Sequence, residues 1–133
     1  MRLFSDDAWA VATVWQEARG ESMEGKIAVA RVIRNRMQIR YSSDGTVPGT
    51  VLKSYQFSGW NTQDHNRIPA ARLDDDDSVV RQCQEAWRRS ATEDAGVGDA
   101  VLYYAPQGVV KKPSWAVDEN FVAQVDHHVF FRG

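Results

Sequence analysis

The chain has 133 residues, enough for one domain with a real core at 43% hydrophobic content. Sixteen basic against 18 acidic side chains leave a formal net charge of -2, which argues against a nucleic-acid protein held by bulk electrostatics. One cysteine, Cys83, excludes an internal disulfide, and no apolar run approaches the roughly 18 residues that a membrane span requires.

The N-terminal "MRLFSDDAW" is interrupted by Asp6 and Asp7 too early to be a signal peptide, so the chain is expected to be made in the cytoplasm. Ser5 is a helix cap, with Asp6 and Asp7 favourable in the first turn. Ala8, Val11, Val14, Trp15 and Ala18 recur at helical spacing, and Gly20 is a stop, which predicts a helix over 6–19. Glu17 sits at the edge of that apolar stripe, beside Val14. A carboxyl group at the rim of a core loses solvation and holds its proton better, as a general acid must. On the pattern alone, an ordinary solvated helix-end Glu is the commoner reading, since nearly every helix has a Glu at its border. Glu21 and Arg19 are expected to be structural, Glu21 by bonding amides at the start of the next helix and Arg19 by pairing with Glu21.

A second helix is predicted from about Met23 to Arg40, with Val29, Ala30, Ile33 and Met37 on one face and Arg31, Arg34, Asn35 and Gln38 on the other. "YSSDGTVPGT" reads as loop from its Ser, Asp, Gly and Pro content, and "VLKSYQF" as a short helical turn. Residues 58–73 have no period and are expected to be a long loop of the kind that carries function. At its start, "QFSGWN" (56–61) places flat rings among amides, a combination that suits sugar faces and hydroxyls and also suits a Trp anchoring a loop.

"DDDDSVVRQCQEAWRRSATED" predicts a third helix, with Val79, Val80, Cys83, Ala86 and Trp87 on one face and its Asp run at the N-terminal end. That run lacks the Gly and distal Glu of a calcium loop, and His65, His127 and His128 have no paired metal spacing, so neither metal nor cofactor is expected. "AVLYY" and "HVFFR" are β-prone. Phe121, Ala123 and Val125 alternate, with Asp126 and His127 as the turn before the last strand. The expected fold is α+β: one mainly helical domain over 1–133 with a small antiparallel sheet in the last third.

Taken in order, these segments resemble the cell wall hydrolase family of the spore-cortex-lytic enzymes (the SleB/CwlJ type). The matching pieces are Glu17-Ala18-Arg19-Gly20-Glu21, then Gly25, then "IAVARVIRNRM" with Asn35-Arg36. Gln56-Phe57-Ser58-Gly59-Trp60-Asn61 follows, then Leu102-Tyr103-Tyr104-Ala105-Pro106, Ser114-Trp115 and His128-Val129-Phe130-Phe131. The resemblance covers roughly residues 8–132. It departs at Phe131, where the family has Tyr, at Asp126 and His127, where a Gly and a small or amide residue are usual, and at Leu102, where an aromatic can occur.

The resemblance implies a fold similar to goose-type lysozymes and lytic transglycosylases. It implies cleavage of peptidoglycan glycan strands between N-acetylmuramic acid and N-acetylglucosamine. Glu17 would be the single catalytic acid, giving 1,6-anhydro products. Gln56, Ser58, Trp60, Asn61, Tyr103, Tyr104, Trp115 and His128 would contact the sugars. The expected partner is the glycan strand, met by a monomer without nucleic acid or membrane insertion. The protein would reach the wall after release through a holin if phage-borne. The alternatives are a muramidase in which a second carboxylate such as Asp64 activates water, and a non-catalytic wall-binding module. A nucleic-acid binder using Arg31, Arg34 and Arg40 fits the net charge poorly.

Overall fold

A computed structural model describes residues 5–53, 56–61 and 73–133. Helix α1 spans Asp6–Ala18, with the Ser5 hydroxyl accepting from the Ala8 amide at 3.2 Å, the cap the sequence announces. Ala10, Val11, Ala12, Val14 and Ala18 are buried along it. After a short turn, α2 spans Met23–Ile39, capped by Ser22 and closed by Arg40 in the left-handed region at φ 56°. Ile27 to Ala30, Val32 and Ile33 have no exposed surface, so α2 is the spine of the core.

The segment expected to be a loop contains a short helix, α3, over Val47–Val51. Thr46 caps it, accepting from Gly49, and Pro48 sits in its first turn. The fixed φ of proline suits that position, where no amide hydrogen is needed. Of the turn expected in "VLKSYQF", Val51 closes α3, and residues 54 and 55 lie outside the described residues. Helix α4 covers only Ser78–Arg89, since Asp77 takes the cap position and accepts from Val79 and Val80. Asp74 to Asp76 lie before it as a solvated turn. Helices α1, α2 and α4 pack on one another, and α3 closes against α1 and α2.

Part of the polar face of α2 is covered, with Asn35 buried and Arg31 and Arg34 half buried, while Gln38 is exposed. Arg34 stacks 3.7 Å over the Trp87 ring and donates to Trp87 O at 2.6 Å and Ser90 Oγ at 2.7 Å. Arg31 donates to Ser90 O at 3.0 Å. These arginines hold the carbonyl end of α4, where cations are favoured. Asn35 is buried and donates to Gly98 O and Ala100 O at 2.8 and 2.9 Å. It fixes the loop that leads into the sheet.

Strands β1 (Leu102–Tyr104), β2 (Phe121–Val125) and β3 (His128–Phe131) form an antiparallel sheet in the order β1-β3-β2. Tyr103 pairs with Phe130, and Val125 with His128 across the Asp126–His127 turn. Because side chains alternate, Tyr103, Phe130 and His128 face the helices. Tyr104, Val129 and Phe131 face outward, where Trp115, Ala116 and Tyr41 cover them. Phe121, Ala123 and Val125 do not share a face. An extra residue, Val122, enters between the Phe121–Phe131 and Ala123–Phe130 pairs, so the bulge turns Phe121 outward.

Candidate active site

Glu17 lies in the last turn of α1, half buried, with Val14 and Ala18 buried beside it. It borders an open cleft of about 430 Å³ lined by residues 16–21 and His127. The helix ends one residue later, which leaves the carboxyl group at a rim. Tyr103, reaching from β1, donates its hydroxyl to Glu17 Oε1 at 2.5 Å. Burial and the Glu17 charge push the Tyr103 phenol well above its usual range, so it stays a proton-bearing donor.

Behind this pair lies Arg36, 4% exposed. Its Nε donates to Val101 O at 2.6 Å and its Nη1 to Gln56 Oε1 at 3.1 Å, and its guanidinium sits 4.8 Å from the Phe57 ring centre. Burial lowers its pKa, and the Glu17 carboxylate acts against that. A buried cation thus stands near the candidate acid. In the sequence, Arg36 stands only as part of the Asn35-Arg36 pair, and no local signal assigns it a role.

The Tyr103 ring packs edge-on against His128, centres 5.1 Å apart, and tilted against Phe130 at 5.5 Å. His128 is 9% exposed. Its Nδ1 lies 2.9 Å from Glu21 Oε1, close but poorly aligned for a hydrogen bond. Glu21 Oε2 lies 2.8 Å from His127 Nδ1. One carboxylate, its side chain 6% exposed, therefore clasps two adjacent imidazoles from the hairpin. This differs from the expected role of Glu21 at the amides of α2. Asp126 serves there, accepting from Ser22 N at 2.8 Å and Ser22 Oγ at 2.6 Å. Asp126 has φ 50°, a conformation that glycine adopts freely, and its two bonds to Ser22 offset the strain of an L side chain there.

The clasp pulls its two histidines apart. The hydrogen bond and charge of Glu21, with Asp126 adding to them, raise the His127 pKa above its usual value. Burial lowers that of His128 despite the same carboxylate.

The 56–61 segment packs on the Gln16 side of α1. Trp60 stacks edge-on to Trp9 at 5.0 Å and donates its indole N–H to Thr13 Oγ1 at 2.8 Å. Gln16 Nε2 donates to Gly59 O at 3.0 Å, and a Cβ at Gly59 would lie 2.4 Å from Gln16 Oε1. Only glycine permits that approach. Asn61 follows, half exposed. Of the expected sugar-contact residues, Tyr103 and His128 gather behind Glu17, while Gln56, Trp60 and Asn61 lie on the neighbouring segment. Tyr104 and Trp115 pack together on the opposite face of the sheet, 5.7 Å apart. The Ser58 side chain, Asp64 and His65 lie outside the described residues. Among the described residues, no group of acidic, His and Cys side chains is arranged to hold a metal.

A cell wall hydrolase family model matches residues 20–131, a span that opens just after Glu17. The catalytic domain of the germination-specific lytic transglycosylase SleB from Bacillus anthracis is similar in structure, with a TM-score of 0.72 at 22% identity. The match covers 96% of this chain and 93% of that one. The catalytic domain of the Bacillus cereus SleB protein matches with a TM-score of 0.69 at 24% identity, covering 96% and 90%. No curated protein sequence matches significantly. The solved neighbours share the expected fold, helix-rich with a small late sheet.

Proposed function

The chain belongs to the cell wall hydrolase family, and from that premise we propose that it cleaves peptidoglycan glycan strands as a lytic transglycosylase with Glu17 as its one acid–base residue. The observation that carries this reading is Glu17 at a cleft, fixed by the Tyr103 hydroxyl at 2.5 Å. Protonated Glu17 gives its proton to the glycosidic oxygen between N-acetylmuramic acid and N-acetylglucosamine. Positive charge develops at the muramic C1. The sugar's C6 hydroxyl closes onto C1 and returns its proton to the Glu17 carboxylate, leaving a 1,6-anhydro end. No water is consumed.

The surroundings suit both halves of the cycle. Buried Val14 and Ala18 favour the neutral acid before transfer. The Tyr103 hydroxyl and the Arg36 charge favour the anion left after it. A residue that must donate and then accept needs such balance. Glu21 borders the same cleft, but its carboxyl oxygens face His127 and His128. That arrangement favours one acid over a water-activating pair.

Glu17→Gln keeps the shape and removes the proton. Its rate of release from sacculi is expected to fall by about 10²–10⁴. Mass spectrometry of the wild-type digest is expected to show ends lighter by one water than hydrolysed ends. Reducing ends would instead indicate a muramidase. Wall binding without release would indicate the non-catalytic module.

A further inference from the structure

Two cationic side chains border the cleft and have no part in the one-acid reaction: Arg19 and His127. Arg19 leaves the end of α1 exposed, its guanidinium 4.3 Å over the Trp15 ring. His127 stands at the hairpin tip with its side chain 69% exposed. Its amide and Nδ1 both point at Glu21, at 3.3 and 2.8 Å. With Glu21 ionised, the Nδ1 proton is fixed and the ring orientation is set. Nε2 has no partner among the described residues. In the imidazolium form, Nε2–H is a charged donor already held in place at the mouth of the cleft.

We propose that Arg19 and His127 bind a carboxylate of the substrate, so that the protein selects glycan strands whose muramic acid or stem peptide carries a free acid. The inference rests on the glycan-cleavage reading above. Each N-acetylmuramic acid bears a lactyl acid, free or amide-linked to a peptide that itself carries carboxylates. That acid is the chemical feature separating this glycan from a neutral one of the same backbone. A net charge of -2 gives the whole molecule no long-range pull on an anionic wall. Two cations at the cleft supply a local one. Only the His127 half of this pair lies where the sequence departs from the pattern it resembles; Arg19 lies within a matching segment.

The groups facing His127 set its pH range. Glu21 and Asp126 hold it cationic above its ordinary pKa, while the adjacent His128 is pushed by burial towards its neutral form. Glu17 and Arg19 share its cleft, and Lys26 lies near Asp126. The His127 contribution is complete below about pH 6.5 and fades as pH rises through its higher folded value.

The test compares initial glycan release from native sacculi and from sacculi whose carboxyl groups have been converted to amides. Substrate is limiting, at pH 6 and pH 8. Wild type is expected to prefer the native wall about tenfold at pH 6 and less at pH 8. In His127→Gln and Arg19→Gln the preference is expected to shrink about threefold each, with Arg19→Lys restoring most of it and His127→Gln removing the pH effect. Equal rates of wild type on both walls, or preferences untouched by either substitution, would overturn the inference while leaving the cleavage reading intact. A wild type that releases nothing from either wall overturns both.

Discussion

Replacing Tyr103 with Phe removes one hydroxyl, the donor to Glu17 Oε1 at 2.5 Å, and leaves the ring against His128 and Phe130. A hydrogen bond to a charged partner is worth roughly 1.5–3 kcal/mol, so the turnover of Tyr103→Phe is expected to drop about 10- to 100-fold. Thermal stability should change far less than it would on loss of the ring. A stacking role alone would leave the turnover of this variant near wild type. The two histidines of the clasp give a second residue-scale outcome. In an NMR titration, His127 should lose its proton above about pH 6.5 and His128 below it. Their effects on stability oppose each other. The contact of His127 with Glu21 stabilises fully below the unfolded pKa and is lost as pH rises through the folded one. Burial of His128 costs stability as pH falls through the unfolded value and then its lowered folded one. Glu21→Gln is expected to bring the His127 midpoint down towards the ordinary value, and two midpoints already coincident in wild type would mean that the clasp does not form in solution.

The elements were legible where a local signal decided them. Ser5 and the Asp run ending at Asp77 mark the starts of two helices, and the apolar spacing of α1, α2 and α4 assigned their buried faces. Composition misled at α3, where Pro48 and Gly49 suggested a loop but proline occupies the first turn that tolerates it. Helical spacing placed Arg31 and Arg34 opposite the apolar face of α2 but could not show their partners, Trp87 and Ser90, more than 50 residues away. One position joins α2 to the hairpin. A Cβ at Gly25 would lie 2.5 Å from Asp126 Oδ2 and 2.8 Å from Glu21 Cβ. Gly25→Ala is expected to push the hairpin off the Ser22 cap and cost about 1–3 kcal/mol in urea unfolding. Adding Asp126→Gly, which removes the struck carboxylate and suits φ 50°, should recover part of that loss.

At the scale of the whole molecule, the candidate site was only half legible. The apolar rim made Glu17 one candidate among ordinary helix-end carboxylates, and the resemblance singled out both Glu17 and Tyr103. The Glu21 clasp and the buried Arg36 did not, because periodicity reports which face of an element is buried and nothing about which distant element covers it. Strand alternation then divided what the chain writes side by side, sending Tyr103 to the acid and Tyr104 to the aromatic group around Trp115 and Phe131.

The sheet order β1-β3-β2 has a temporal meaning as well. Its middle strand is the last of the three to leave the ribosome, and β1 hydrogen-bonds to nothing else in the sheet. Tyr103, 86 positions beyond Glu17 in the chain, therefore gains its sheet support only once β3 has emerged. Nascent chains would carry Glu17 without Tyr103 held beside it until β3 has paired with β1.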